Sequence, residues 1–408
     1  MIGGRDGREG GPPPETGGEL RVAPPGTDDG RHLPPPGTGA GSEPDGRGPA
    51  AFEGLTPSEA LSAVEEAFGA APDGSFFSYP SYINRVYGFR AEDGREYVAK
   101  FYRPGRWSHE AIAQEQALVL ALAAAEIPVV APLPDLEGDY LPALDLGLGG
   151  PPISFCLFPK RGGRSFEADG CEDLRRLGAL AGRMHAASRA YAPGLAAASR
   201  RPRMAPGLLT AYARELRRSG RVDKRAEEAF FGVLAEAEAA VDEALAGYAP
   251  GFGAAGQEPG ARAIRGETAP GTPFAPAPLL LHGDFHRGNV LDRGVEGLLA
   301  IDFDDACVGP AVQDLWMLLP GRVADSPREL EAALEGYEEF TSFDYGQLSL
   351  VEPLRLLRMV HYLAWQARQA ADPGFLRHFP RWGERAFWEQ ETEDLRLQLE
   401  LVRGDAEA

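Results

Sequence analysis

Leu281-His282-Gly283-Asp284-Phe285-His286-Arg287-Gly288-Asn289-Val290-Leu291, followed by Ala300-Ile301-Asp302-Phe303-Asp304-Asp305, is the stretch that decides how this chain is read. Asn289 lies five residues after Asp284, and Asp302 thirteen after Asn289. Val290-Leu291 and Leu298 to Ile301 can pair as a hairpin that aims Asn289 and Asp302 at one point. Asn and Asp supply hard oxygen donors, which magnesium prefers. Two other readings compete. His282, Asp284 and His286 alternate, as on one face of a strand, and could form a transition-metal cluster. Such a site needs further His or Asp donors, and the chain has 7 histidines in all. A polar turn between core strands is the plain alternative, but turns seldom carry these acids and an Asn between two strongly apolar runs.

The spacing matches what phosphoryl transfer from ATP requires. A carboxylate must meet the acceptor hydroxyl, and two oxygen ligands must hold the metal between phosphates. Protein kinases use an Asp, an Asn five residues on, and a second Asp after a short hairpin. They also place a Lys in an apolar strand to hold the α- and β-phosphates. Here Lys100 stands in Tyr97-Val98-Ala99-Lys100-Phe101; only Lys100, Lys160 and Lys224 are lysines among 41 cationic residues. A Lys in that strand is therefore a less casual choice than an Arg would be.

A helix is expected from about Ser108 to Ala125. Ile112, Glu115, Val119 and Leu122 share one face of it, so Glu115 interrupts an apolar stripe. A buried carboxylate is costly unless paired, and Lys100 is the expected partner. No GxGxxG precedes Lys100. Pro80-Ser81-Tyr82-Ile83-Asn84-Arg85 occupies that place, and its amides and the Ser81 hydroxyl can meet phosphate oxygens. Phe158-Pro159-Lys160 is expected to be the hinge that reads adenine.

Around these motifs the 408 residues divide by composition. Residues 1–50 hold 24 Gly or Pro and are expected to be a disordered tail. Thr56-Pro57-Ser58-Glu59 reads as a helix start, and Asp93-Gly94 as a hairpin turn between strands Tyr82 to Phe89 and Glu96 to Tyr102. Ile153 to Phe158 is a further strand. Helices follow at Asp173 to Ser188, within Leu208 to Tyr248, and at Val351 to Ala371; residues 249–278 read as a flexible Gly/Pro/Ala-rich insertion. The expected fold is α+β with two lobes, a strand-rich N-lobe over 51–160 and a larger helical C-lobe over 161–408. Asp314 is expected to brace the catalytic loop, His185 to be a core histidine, and Trp316, Trp365 and Trp382 to be core. The net charge of -20 argues against a broad nucleic-acid or anionic-membrane surface. Three cysteines with no CxxC pair fit a reducing cytoplasm, and no apolar run is long enough to span a bilayer.

The stretch His282-Gly283-Asp284-x-His286-x-Gly288-Asn289, with Ile301-Asp302-Phe303-Asp304-Asp305, resembles the aminoglycoside phosphotransferase and choline kinase superfamily, whose fold is protein-kinase-like. Ser81-Tyr82-x-Asn84-Arg85, Gly163-Arg164-x-Phe166-Glu167-Ala168-Asp169, Gly309 to Leu319 and Glu352-Pro353-Leu354-Arg355 resemble, more narrowly, a family of bacterial stress-response serine/threonine kinases. The resemblance covers about residues 52–390. It implies Asp284 as proton acceptor, Asn289 and Asp302 as magnesium ligands, Asp302 also as catalytic, and Ser81 at the ATP site. It implies a protein Ser/Thr acceptor. The broader superfamily keeps open a small hydroxyl substrate such as an aminoglycoside, choline or homoserine, and a nucleotide-binding pseudokinase is a third possibility. The expected partners are ATP and the acceptor, with no nucleic acid or membrane, and the chain is expected to be a monomer.

Overall fold

The computed structural model describes residues 52–79, 81, 83–168, 170–191, 194, 196, 198–248, 279–370 and 375–404. The tail over 1–50, the 249–278 insertion, Pro80, Tyr82 and Asp169 lie outside the described residues.

The first helix, α1 (Pro57–Phe68), begins where Thr56 and Glu59 form a reciprocal capping box with Pro57 at the first turn. A five-stranded antiparallel sheet follows, built from β1 (Pro72–Ser78), β2 (Arg85–Ala91), β3 (Glu96–Phe101), β4 (Ala143–Leu144) and β5 (Ile153–Pro159) in the order β1-β2-β3-β5-β4. The β2–β3 hairpin turns at Asp93-Gly94, where the Asp93 side chain accepts from the Arg95 amide. One face of this sheet buries Tyr87, Phe89, Ala99, Phe101, Phe155 and Leu157 against Ala60 and Val64 of α1. Lys100 pairs across the sheet with Val86 and Cys156 and, by strand alternation, faces the other way. On that side lies α2 (His109–Ala124), capped by the Ser108 hydroxyl, with Trp107, Ala111 and Ile112 packed on Tyr102 and Cys156. The first expected strand, Tyr82 to Phe89, starts later, at Arg85. The edge strand β1, rich in Pro, Asp, Gly and Ser, was not expected from the sequence.

The remainder is mainly helical: α3 (Cys171–Tyr191), α4 (Leu208–Ser219), α5 (Glu227–Tyr248), α6 (Val312–Trp316), α7 (Pro327–Glu338), α8 (Val351–Gln369), α9 (Phe375–His378) and α10 (Arg385–Arg403). Between α5 and α6 sit the short strands β7 (Leu279–Leu281), β8 (Val290–Asp292), β9 (Leu298–Ala300) and β10 (Cys307–Gly309). β8 pairs with β9 and with β6 (Arg164–Ser165), while β7 pairs with β10. A single apolar core runs from Leu118 and Leu122 of α2 through the helices to Trp388 of α10, and Trp316, Trp365 and Trp382 are all buried. The two-lobed α+β architecture is thus a sheet region and a helical region. Among the described residues no helix is long and apolar enough to cross a membrane.

Candidate active site

The loop between β7 and β8 carries Asp284 and Asn289. It starts with Gly283 at φ +83°, where a Cβ would lie 2.1 Å from the carbonyl oxygen of Asp305, so a side chain fits neither the backbone angle nor the space. The loop is anchored from below. Asp314 on α6, fully buried, accepts from the amides of His282 (3.0 Å) and Gly283 (2.9 Å). His185 on α3 bonds the same carboxylate at 3.0 Å through Nε2 and reaches the Tyr337 hydroxyl of α7 with Nδ1 at 3.1 Å. Asp314 is therefore the expected brace, and His185 is a satisfied core histidine. His282 is committed as well: its Nε2 meets the Ile301 carbonyl at 2.9 Å, and its Nδ1 accepts from the Asp284 amide at 3.3 Å. That excludes His282 from an alternating His-Asp-His metal cluster. Among the described residues no three His, Cys, Asp or Glu side chains gather as a metal cage.

Asp284 is buried, and its Oδ1 accepts from Arg358 of α8 at 2.7 Å. Its Oδ2 faces His286 Nε2 at 3.4 Å and the Asn289 side-chain nitrogen at 3.5 Å. Burial alone would raise the Asp284 carboxyl, but the Arg358 guanidinium and then His286 hold it well below the usual carboxylate range. Asn289 donates its Nδ2 to the Asp284 carbonyl at 2.9 Å, which leaves its Oδ1 as a lone-pair acceptor. The hairpin pairs Val290 with Ala300, and the Ile301 amide donates to the Asn289 carbonyl at 3.0 Å. Asn289 and Asp302 thus leave the hairpin at the same end. Asp302 adopts φ +62°, a left-handed conformation that costs an L-residue roughly 1 kcal/mol. Its side chain is 53% exposed, whereas Phe303, Asp304 and Asp305 on either side of the next turn are buried.

Lys100 bonds this exposed carboxylate at 2.9 Å and lies 3.6 Å from Asp304 Oδ1. Burial works against its charge, but Asp302 and Asp304 hold it above the usual lysine value. The expected Lys100–Glu115 ion pair is not formed. Glu115 is buried on α2 as expected, but its Oε1 accepts from the Tyr102 hydroxyl (3.0 Å) and Gln116 (3.1 Å), and its Oε2 lies 4.0 Å from Arg201. Two acids of the 302–304 turn stand nearer the lysine than Glu115 does; local neutral donors meet only Oε1 of the glutamate, and Oε2 has no hydrogen-bond partner among the described residues. Burial pushes Glu115 up to about 7 against the pull of Lys100. In the segment expected to be the hinge, the Lys160 amide is spent on the Glu96 carbonyl at 2.9 Å and Pro159 has no N–H, so neither residue has an amide to spare.

Several residues of the site had no role on sequence grounds. Asn84 donates to Asp304 Oδ2 at 3.2 Å, and its Oδ1 accepts from the Arg103 amide at 3.1 Å. Its own amide donates to the half-buried Ser81 hydroxyl at 3.3 Å, so the turn expected to meet phosphates is tied to the Asp304 carboxylate. Arg106, from the loop before α2, bridges Asp304 and Asp305, and all three side chains are nine-tenths buried. Arg201 donates Nε to the Ala306 carbonyl at 2.8 Å and Nη2 to that of Asp304, and its guanidinium lies 4.0 Å from the Trp107 ring centroid. The two adjacent acids are driven apart. Burial raises Asp304, but Arg106 and Lys100 hold it at about 2, whereas burial and the Asp304 charge push Asp305 up to about 8 despite Arg106. Clustered cations therefore meet an acidic turn whose one exposed member is Asp302.

The model of the phosphotransferase enzyme family (APH) matches residues 79–351. The chain belongs to the phosphotransferase enzyme family. Within that family it is 37% identical to stress response kinase A of Escherichia coli strain K12 over 355 residues, covering 86% of this chain and 95% of the relative. It is 35% identical to the serine/threonine protein kinase RdoA of Salmonella typhimurium strain LT2 over 357 residues, covering 86% and 94%. Among solved structures, amicoumacin kinase in complex with AMP-PNP, calcium and amicoumacin superposes with a TM-score of 0.58 at 18% identity, covering 84% of this chain and 94% of that one. Spectinomycin phosphotransferase superposes with a TM-score of 0.54 at 15% identity, covering 86% and 99%. As a member of this phosphotransferase family the chain is a kinase with the family's two-lobed fold.

Proposed function

We propose that this phosphotransferase is an ATP- and magnesium-dependent serine/threonine protein kinase of the stress-response type, acting in the cytoplasm. The observation that carries the chemistry is the mouth of the β8–β9 hairpin. Asn289 beside Asp284 and the outward-turned Asp302 leave it together, and Lys100 of the sheet reaches Asp302. In this reading Asp284 accepts or orients the proton of the acceptor hydroxyl, Lys100 and Ser81 meet the phosphates, and Glu115 supports the Lys100 strand from the buried side.

The donor set fits magnesium. Asn289 Oδ1 and the Asp302 carboxylate are hard oxygens, and Asp304 Oδ1 is a buried carboxylate oxygen with no hydrogen-bond partner among the described residues. Magnesium would neutralise charge on the phosphates there. This chain's own residues do the rest by position: Lys100 neutralises Asp302 and Asp304, Asn84 ties the Ser81 turn to Asp304, and Asp314 fixes the loop below Asp284. Asp302→Asn is expected to raise the half-saturating magnesium concentration by about tenfold or more, because a neutral amide replaces a charged ligand. A titration of activity against magnesium that overlays the wild type removes Asp302 from the metal site.

A protein acceptor is favoured by the relatives at 35–37% identity, whose names are protein or stress-response kinases; the antibiotic kinases are only 15–18% identical. Incubation with γ-labelled ATP and magnesium, alone, with casein, and with a panel of amino alcohols and aminoglycosides tests this. Label on serine or threonine of casein or of the chain itself is expected. Label confined to a small molecule overturns the protein-kinase reading while leaving the kinase intact.

A further inference from the structure

Helix α8 turns Leu354, Leu357, Arg358 and His361 onto one face, at the i, i+3, i+4 and i+7 spacing of a core-facing stripe. Two of the four are polar, and both are buried. With Met204 and Gln313 they line a cavity of about 10 Å³, about the room one water needs. Arg358 Nη1 and both ring nitrogens of His361 have no hydrogen-bond partner among the described residues. The other terminal nitrogen of Arg358 donates to Asp284 Oδ1 at 2.7 Å. No acid lines the cavity, and Asp284 is the carboxylate within ion-pair reach of Arg358 among the described residues.

A guanidinium in such a stripe is expensive. Breaking or half-satisfying a buried ion pair costs several kcal/mol, and an apolar residue would serve packing better. The fork is therefore explained by what it holds. We propose that Arg358 is a positioning residue for phosphoryl transfer: it pins Oδ1 of Asp284 from behind the loop, so that Oδ2 is the oxygen offered to the acceptor hydroxyl. This rests on the reading of Asp284 as the base. Gln313, on the same cavity wall, donates to the Gly283 carbonyl at 3.3 Å and steadies the turn that leads into Asp284. The cavity gives Nη1 a place to be hydrated without a second acid competing for the guanidinium.

The test is a double-mutant cycle on the full chain, measured as steady-state transfer to the acceptor that the labelling experiment identifies. Arg358→Met is expected to lower kcat by about 10²-fold while KM for ATP stays within about twofold, as for a misplaced reacting group. Arg358→Lys, which restores charge without the fork, is expected to recover part of that loss. In the Asp284→Asn background, Arg358→Met is expected to cause no further loss, because a residue acting through Asp284 has nothing left to position. Equal losses in both backgrounds, or wild-type kcat in Arg358→Met, overturn the proposal. Wild-type kcat in Asp284→Asn overturns the base reading instead. If Arg358→Met does not fold, the same comparison with Arg358→Lys decides, since its charge keeps Asp284 paired.

Discussion

Asp284→Asn is expected to lower kcat for phosphoryl transfer by about 10²–10⁴-fold, the range over which a positioned acid or base contributes. The nucleotide should still bind with close to wild-type affinity. The substitution is nearly isosteric and keeps an oxygen for Arg358, but it removes the charge that would draw the acceptor proton. Of the groups assigned to phosphate and metal, Lys100, Ser81 and Asp302 keep their contacts, and Asn289 keeps its 2.9 Å bond to the Asp284 backbone carbonyl. Lys100 in particular bonds Asp302 at 2.9 Å and does not touch Asp284. Calorimetric titration with a non-hydrolysable ATP analogue and magnesium, beside kcat, separates the two effects. Turnover within threefold of the wild type would remove Asp284 as the base. Equal loss of nucleotide binding and turnover would instead make it a structural acid. A melting scan guards against a third outcome, because Arg358 is left buried without a full counter-charge in this variant.

What could be read from the sequence was local. The hairpin, the lysine in an apolar strand and the stripe on α2 are matters of spacing within one element, and spacing survives without coordinates. The pairings across the site did not survive. Arg106 meets Asp304 and Asp305 at sequence separations of 198 and 199 residues. In a chain with 38 arginines against three lysines, one more arginine before a helix carries no signal. Arg358 was different. It sits at a core position of a strongly periodic helix, beside His361, and a charged residue in an apolar stripe is the same signal that singled out Glu115. The Lys100–Glu115 pair failed for a related reason: a buried acid needs a partner, but periodicity cannot say which. Tyr102 and Gln116, on the same lobe, donate to its Oε1 instead, while Oε2 keeps only Arg201 at 4.0 Å. The strand β1 was hidden by its composition. Pro72, Asp73, Gly74 and Ser75 read as a turn, and the strand exists through the pairing of Phe76, Phe77 and Ser78 with β2.

Gly178→Ala is expected to destabilise the chain by about 3 kcal/mol or more, the opposite sign to an ordinary helical Gly→Ala change. On α3 a Cβ at Gly178 would lie 1.9 Å from the Ala333 carbonyl oxygen of α7, and one at Gly182 would lie 2.5 Å from the Tyr337 carbonyl oxygen. From the other side, a Cβ at Gly336 would lie 1.9 Å from the Arg175 carbonyl oxygen. All three neighbours are backbone, so neither helix can yield by turning a side chain, and the pair must separate. Separation reaches the site, because α3 carries His185 and α7 carries Tyr337, and their 3.1 Å contact supports the Asp314 brace under His282 and Gly283. Gly232 of α5 is the control: a Cβ there meets nothing within 4 Å, so Gly232→Ala should stabilise by roughly 0.5–1 kcal/mol through helix propensity alone. Urea unfolding of the two variants side by side reads both signs. A Gly178→Ala protein as stable as Gly232→Ala would mean that α3 and α7 do not touch through their backbones, and the brace would then need another support.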